Sequence, residues 1–403
     1  MEYKLRLSNK TVMGKIKFLI LPNILSILFS TVFLFSNAFA QDSASFKLPF
    51  EFAGNHIYLP VKINDSETVW MMFDTGASQT FIDVDKAKEL KLQISDGAIK
   101  NTTLKFQTFK VENQDLQLTR LGFGSNDGHS IDGLLGYDFI KRFVVEIDYQ
   151  KRIITFHSPA NFKRSKIFTE VPLTMLEDDS GGKVPLASVK IGDKIEGKLI
   201  VDTGVRSVAT FNMPFVNNNN LLKSVPKTID QIVGGGATVR VAQFLHGRLP
   251  KMEFGGFLIK DSVVGFSQAT DGVTSISDFG GIIGGGILRR FKVIFDYSKE
   301  KLYLEPNKDF SSAYKYDATG TYVISEGNDY KTFRVRQVIS PSPGSDADLR
   351  ENDIILMINK KATSNLTLDK LRELFKQENK IFKLKIKRKE GIFELRMKTR
   401  KLL

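Results

Sequence analysis

The sequence predicts a mainly β protein: two copies of one β unit, then an unrelated C-terminal segment of mixed α and β structure. Three observations carry that expectation. The chain matches itself at a fixed spacing, and both copies are rich in Val, Ile, Phe and Thr punctuated by Gly, Asn and Asp turns. The self-match stops near Glu305-Pro306, about a hundred residues short of the end. With 403 residues, 42% hydrophobic and 26% charged, the chain has material for two to four packed domains, and its composition is not that of a disordered protein.

From the N-terminus, residues 1–40 read as an export leader. Lys4, Arg6, Lys10, Lys15 and Lys17 precede an apolar run from Ile24 to Phe35, and Ala38 and Ala40 flank Phe39 in a small-residue cleavage pattern. A mature chain would begin at Gln41. The competing reading is an uncleaved membrane anchor, but Pro22 and Asn23 interrupt the longer apolar stretch it would need. Cleavage implies a protein secreted across the inner membrane, into the periplasm, with no stable membrane anchor.

The two copies follow. A shift of 128 residues lays Val61-Lys62-Ile63 on Val189-Lys190-Ile191 and Asp74-Thr75-Gly76 on Asp202-Thr203-Gly204. Further on the shift is 148: Gly133-Leu134-Leu135-Gly136 meets Gly281-Ile282-Ile283-Gly284, and Arg142-Phe143 with Asp148-Tyr149 meets Arg290-Phe291 with Asp296-Tyr297. The second copy therefore holds twenty extra residues between its motifs. They are expected around the glycine run Gly234, Gly235 and Gly236, which has no counterpart in copy one and reads either as a flexible turn or as a functional flap.

In each copy an apolar strand, Val69 to Phe73 or Lys198 to Val201, ends in Asp-Thr-Gly. One such triplet is a weak signal, because Asp and Gly are ordinary turn residues. Two in matched frames are not. If the copies pack about a pseudo-two-fold axis, Asp74 and Asp202 meet there, and two close carboxylates share one proton. The ionised member can then take a proton from water while the protonated one hydrogen-bonds a carbonyl, a general acid–base hydrolysis. Gly76 and Gly204 let the backbone approach closely. Thr75 and Thr203 can bond across the axis and stiffen both loops.

These motifs resemble the aspartic peptidases: Asp74-Thr75-Gly76-Ala77-Ser78 with Leu134-Leu135-Gly136 is similar to one half of a retroviral or pepsin-type acid protease, and Asp202-Thr203-Gly204-Val205 with Ile282-Ile283-Gly284 to the other. The resemblance spans residues 45 to 307. It implies a two-lobed acid-protease β-barrel fold with pseudo-two-fold symmetry, lobe one at 41–162 and lobe two at 163–307. It also implies Asp74 and Asp202 as the catalytic dyad, Thr75 and Thr203 as an interlock, and Gly234 to Gly236 as part of a flap. Two departures stand out. Val205-Arg206 replaces the usual small residue and Ser or Thr, and copy one lacks a glycine-rich flap; Arg206 is expected to favour the ionised dyad.

After a linker at 308–315, residues 316–403 resemble an α+β PDZ domain through Ser342-Pro343-Gly344, Ala347, Leu349 and Asp353-Ile354-Ile355 with Ile358-Asn359. Asp348, Asn352 and Lys360 stand where that family usually has Gly; Asp and Asn tolerate left-handed backbone, whereas Lys does not readily. Tyr316-Asp317-Ala318-Thr319-Gly320 matches the loop that captures a peptide's terminal carboxylate, so Gly320, Thr321 and Tyr322 are the expected peptide-binding residues. Short helices are expected at Asp83 to Leu90 and Leu366 to Phe375.

Exclusions complete the reading. The chain has no cysteine, so disulfides, thiolate metal sites and catalytic thiols are ruled out. Its four His residues show no metal-ligand spacing, and neither a metal nor another cofactor is expected. The net charge of +13 drops to +9 without the leader, and residues 371–403 alone supply +8. There Lys383, Lys385 and Lys387 alternate with Phe382, Leu384 and Ile386, a strand with one solvated face, so no nucleic-acid partner is implied. The expected protein is a monomeric exported aspartic endopeptidase acting on protein or peptide substrates, with a PDZ ligand as a further partner. The alternative is a peptide-binding scaffold on an inactive protease fold.

Overall fold

The computed structural model describes residues 45–121, 127–235 and 240–403, with side chains 232–242 set aside. The expected leader and Gly236 lie outside these residues. Asp42–Leu403 forms one unit, built as two closed β-barrel lobes and a smaller domain.

The first lobe is a seven-stranded sheet in which strand His56–Ile63 pairs with Thr68–Phe73 on one side and with Ala98–Lys105 on the other, closing the sheet on itself. The second repeats the plan: Lys183–Ile191 pairs with Ile195–Val201 and with the far end of Arg240–Phe254. Both equivalences follow the shifts read from the sequence. The twenty extra residues of the second copy appear as a β-hairpin, in which Thr228–Gly235 pairs with the first half of Arg240–Phe254. Gly234 and Gly235 end its first strand, opposite Val241 and Arg240. Copy one has no such hairpin at the matching place; helix Val84–Glu89 and strand Ala98–Lys105 are separated by only a short connection.

A six-stranded sheet joins the lobes, in the order Phe46–Pro49, Ile153–His157, Val144–Asp148, Phe291–Asp296, Lys301–Pro306, Thr169–Pro172. At its centre Val144 pairs with Asp296, Glu146 with Ile294 and Asp148 with Lys292. Exchanging the copies by the 148-residue shift returns the same pairs, so a local two-fold axis passes through the Glu146–Ile294 pair. Phe139, Val145, Phe156, Phe291, Val293 and Phe295, all buried, fill one continuous core beneath this sheet. Only the apolar periodicity of these strands is needed to explain their burial.

The segment 308–315 is tied down. Arg290 donates to the carbonyls of Asp309, Phe310 and Ser312 and lies 3.5 Å from the ring centroid of Tyr314. Beyond it, Thr321–Glu326, Thr332–Val338, Ile354–Ile358, Ile381–Arg388 and Gly391–Lys398 form a sheet with helix Leu368–Phe375 packed on its core. Phe382, Leu384 and Ile386 are buried and Lys383 and Lys387 exposed, as their alternation predicts. Asp348, Asn352 and Lys360 all adopt positive φ. Lys360 does so with Asn359 in the two-residue turn between Ile358 and Lys361, where the primed hairpin geometry requires left-handed backbone at both positions.

Candidate active site

Each Asp sits where its strand leaves a parallel neighbour. Met71, Met72 and Phe73 run beside Gly133, Leu134 and Leu135, and Leu199, Ile200 and Val201 beside Gly281, Ile282 and Ile283. The Asp74 N–H donates to the Leu135 carbonyl (3.0 Å) and the Asp202 N–H to that of Ile283 (2.8 Å). The paired-aliphatic turns then grip the loops from below. Tyr137 N–H donates to the Ala77 carbonyl (2.9 Å), and Gly285 N–H to that of Val205 (2.6 Å). A Cβ on Gly136 would lie 2.0 Å from the Gln79 carbonyl oxygen, and one on Gly284 2.4 Å from that of Val205, so only glycine fits either crossing.

The two loops interlock through their threonines. Thr75 N–H donates to Thr203 Oγ1 (3.1 Å) and Thr203 N–H to Thr75 Oγ1 (3.0 Å); each hydroxyl donates to the residue before the opposite Asp, Val201 or Phe73, at 2.7 Å. All four bonds are buried. At about 1 kcal/mol net each, with a larger loss when one partner is removed, they fix the loops far more firmly than turns alone would.

This brings Asp74 and Asp202 together. A Cβ on Gly76 would fall 2.3 Å from Asp202 Oδ2, and one on Gly204 2.5 Å from Asp74 Oδ1, so each glycine makes room for the opposite carboxylate. Gly76 and Ala77 N–H groups donate to Asp74 Oδ1 (2.9 and 3.1 Å), and Gly204 N–H to Asp202 Oδ1 (2.6 Å). Burial raises the pKa of both carboxyls. Asp202 goes well above the ordinary value, since the Asp74 charge adds to burial; for Asp74, hydrogen bonds from Asp202 and its own loop, with His56 nearby, offset part of the rise. The two buried carboxyls, each raised and each acting on the other, therefore titrate as a pair.

A buried Asp-rich polar cluster that sequence reading missed lies in the first lobe. His56 Nδ1 is 2.8 Å from Asp127 Oδ2, Tyr58 OH donates to the same oxygen (2.7 Å), and Arg206 Nη1 lies 4.0 Å from Asp127 Oδ1. Burial pushes the Asp127 carboxyl up, but His56, Arg206 and Tyr58 outweigh it and hold the group below its ordinary value. Asp138 nearby along the chain accepts from Thr80 Oγ1 and Gln114 Nε2, both at 2.6 Å. One signal could have found the first group: copy one carries His56 and Tyr58 where copy two, 128 residues on, carries Val184 and Leu186. Arg206, expected to act on the dyad, instead directs its guanidinium to Asp127 and to Tyr322 OH (3.2 Å) of the C-terminal domain.

The expected peptide loop is folded onto itself. Gly320 is left-handed (φ 71°), and its N–H and that of Thr319 donate to the side chain of Asp317, whose carboxyl burial pushes up to about 6. Thr321 N–H donates to Thr319 Oγ1 (3.1 Å). Tyr322 lies on the edge strand Thr321–Glu326, which pairs with a neighbour on one side only. Among the described residues no group of three or more His, Asp or Glu is arranged to hold a metal ion.

A family model of aspartyl proteases matches residues 59–139, and one of PDZ domains matches residues 334–388. Among solved structures, the crystal structure of the aspartic proteinase from Irpex lacteus is similar at 14% identity, over 67% of this chain and 99% of that one, with a TM-score of 0.39. No curated protein matches the sequence. The chain thus carries a segment similar to aspartyl proteases and, separate from it, a segment similar to PDZ domains.

Proposed function

We propose that this chain is an exported aspartic endopeptidase with Asp74 and Asp202 as its catalytic pair. The observation that carries the reading is the reciprocal interlock, Thr75 to Thr203 and Thr203 to Thr75, holding two buried carboxyls against each other. Ionised Asp74 takes a proton from a water between the carboxyls as that water attacks the scissile carbonyl carbon, and protonated Asp202 hydrogen-bonds the carbonyl oxygen. The resulting diol collapses as a proton passes to the leaving nitrogen. No covalent intermediate is needed. Both carboxyls come from one chain, which supports action as a monomer.

The hairpin whose first strand ends in Gly234 and Gly235 covers the substrate in this reading, and the PDZ domain selects substrates or partners. Residues 1–40 act as a cleaved leader that delivers the protein to the periplasm. No helix among the described residues is long and apolar enough to cross a membrane. The test is digestion of an unfolded protein by purified chain lacking residues 1–40, with and without a statine-containing peptide that mimics the diol. Cleavage that the mimic suppresses supports the reading. No cleavage at any pH from 3 to 8 would move the protein to a peptide-binding scaffold.

A further inference from the structure

Edge strand Thr321–Glu326 runs beside helix Leu368–Phe375, the place where a PDZ domain would take a peptide, and side chains and backbone of the protease lobes reach both elements. Arg206, two residues past the second Asp-Thr-Gly, donates from Nη2 to Tyr322 OH (3.2 Å) and lies 5.5 Å from the Tyr322 ring centroid. Arg372, from the PDZ helix, lies 5.8 Å from the same centroid and donates from Nη2 to the Val323 carbonyl (3.0 Å), an edge-strand group that an added strand could use. Asp369 of the same helix accepts from Gly54 N–H of the first lobe (3.0 Å). Two guanidiniums, one from each domain, therefore flank one aromatic ring. Burial and the neighbouring Arg206 hold the Arg372 pKa down to about 10, whereas for Arg206 the nearby Tyr322, Asp127 and Asp369 outweigh burial and raise it.

A peptide that adds to this edge must take the Val323 carbonyl from Arg372 and the space beside Tyr322 from Arg206. A neutral peptide would leave two half-buried cations with fewer partners, which is costly. A carboxylate on the peptide would replace what they lose and can be gripped by two planar forks. The loop expected to read a terminal carboxylate is meanwhile filled by Asp317.

We propose that Arg206 and Arg372 form a carboxylate-reading site at the mouth of the PDZ groove, shared by the two domains, whose ligand is an extended peptide bearing an acidic side chain or a free terminus. The proposal rests on the peptide-binding reading of the PDZ domain and deepens it. Because Arg206 belongs to the Asp202 loop, occupancy of the groove is felt at the dyad.

The test uses the full chain with Asp74→Asn and Asp202→Asn, so that probes are not cut and the result does not depend on turnover. The probes are fluorescein-labelled nonapeptides of Thr and Val with a central Asp, the same peptides with Asn, and the free and amidated forms of each, read by anisotropy. Probes with a carboxylate bind at least about tenfold tighter than the neutral, amidated Asn probe, the size of one good charge-assisted pair. The side-chain and terminal arms show which source is read. Arg206→Gln and Arg372→Gln each shrink the discrimination and together abolish it, while Arg206→Lys and Arg372→Lys, which preserve charge and packing, retain part of it. The Asp probe also changes amide hydrogen exchange at residues 203–208. Equal affinity for all probes, no binding, or discrimination that survives both Gln substitutions would overturn the site.

Discussion

The two Asp loops are alike where they face each other and unlike where they face away. Both strands, both threonines, both glycines and both paired-aliphatic turns make matching hydrogen bonds within a few tenths of an ångström. Behind this symmetric centre, the first lobe buries Asp127 against His56 and Tyr58, whereas the second supplies the extra hairpin and sends Arg206 to Tyr322. Symmetry is kept where the two carboxyls meet and lost where one lobe meets the hairpin and the PDZ domain. That division separates the carboxyl pair and its supports from the groups that surround them.

Breaking the symmetric centre has the largest effect. Gly76→Ala or Gly204→Ala drives a methyl into the opposite carboxylate, and displacement on that scale costs about 100-fold in turnover. Steady-state kinetics on an unfolded protein substrate checks this, and rates within twofold of wild type would contradict it. Thr75→Val and Thr203→Val are next: each leaves a buried N–H of the other loop without its acceptor, a loss of about 1–3 kcal/mol visible in urea unfolding. The two losses should match, and a large inequality would show that the interlock is not symmetric in energy.

Sharpening the comparison inside the dyad needs a stability measurement. The folded pKa of Asp202 is raised, so its favourable contribution is present below the ordinary carboxylate range near 4 and is lost as pH rises through the folded value. Asp202→Asn removes that titration. Its Tm, relative to wild type, therefore rises between pH 4 and pH 7, by about 2–4 °C for each kcal/mol relieved in domains of this size. The smallest expected effect is outside the protease lobes. Asp317→Ala empties the N–H groups of Thr319 and Gly320 and raises affinity for free peptide termini over amidated ones, read by the same anisotropy assay.

Much of this was legible in the sequence because a duplication carries its own control. The spacing of Asp74 and Asp202 brought out that the two carboxyls meet, and the change of shift from 128 to 148 located the hairpin between matched elements. The alternation of Lys383 to Lys387 with Phe382, Leu384 and Ile386 foretold a strand with one buried and one solvated face. Three features were not legible. Asp127 meets His56 across seventy-one residues, a pairing that no local period reveals. Arg206 was read against its nearest neighbours in the chain, yet its guanidinium faces the Asp127 carboxylate and donates to Tyr322 OH, 116 residues away. The Asp317 to Gly320 loop was read for its free N–H groups, and the side chain that occupies them belongs to the loop itself.

The most direct measurement is kcat/KM for wild type, Asp74→Asn, Asp202→Asn and the double variant on one unfolded protein substrate. Two carboxyls that share a proton act as a unit, so each single variant loses about 1,000-fold or more and the double variant is no worse than either. All four proteins should unfold cooperatively in urea. Substantial turnover by either single variant, or losses that multiply in the double variant, would contradict a shared dyad at Asp74 and Asp202.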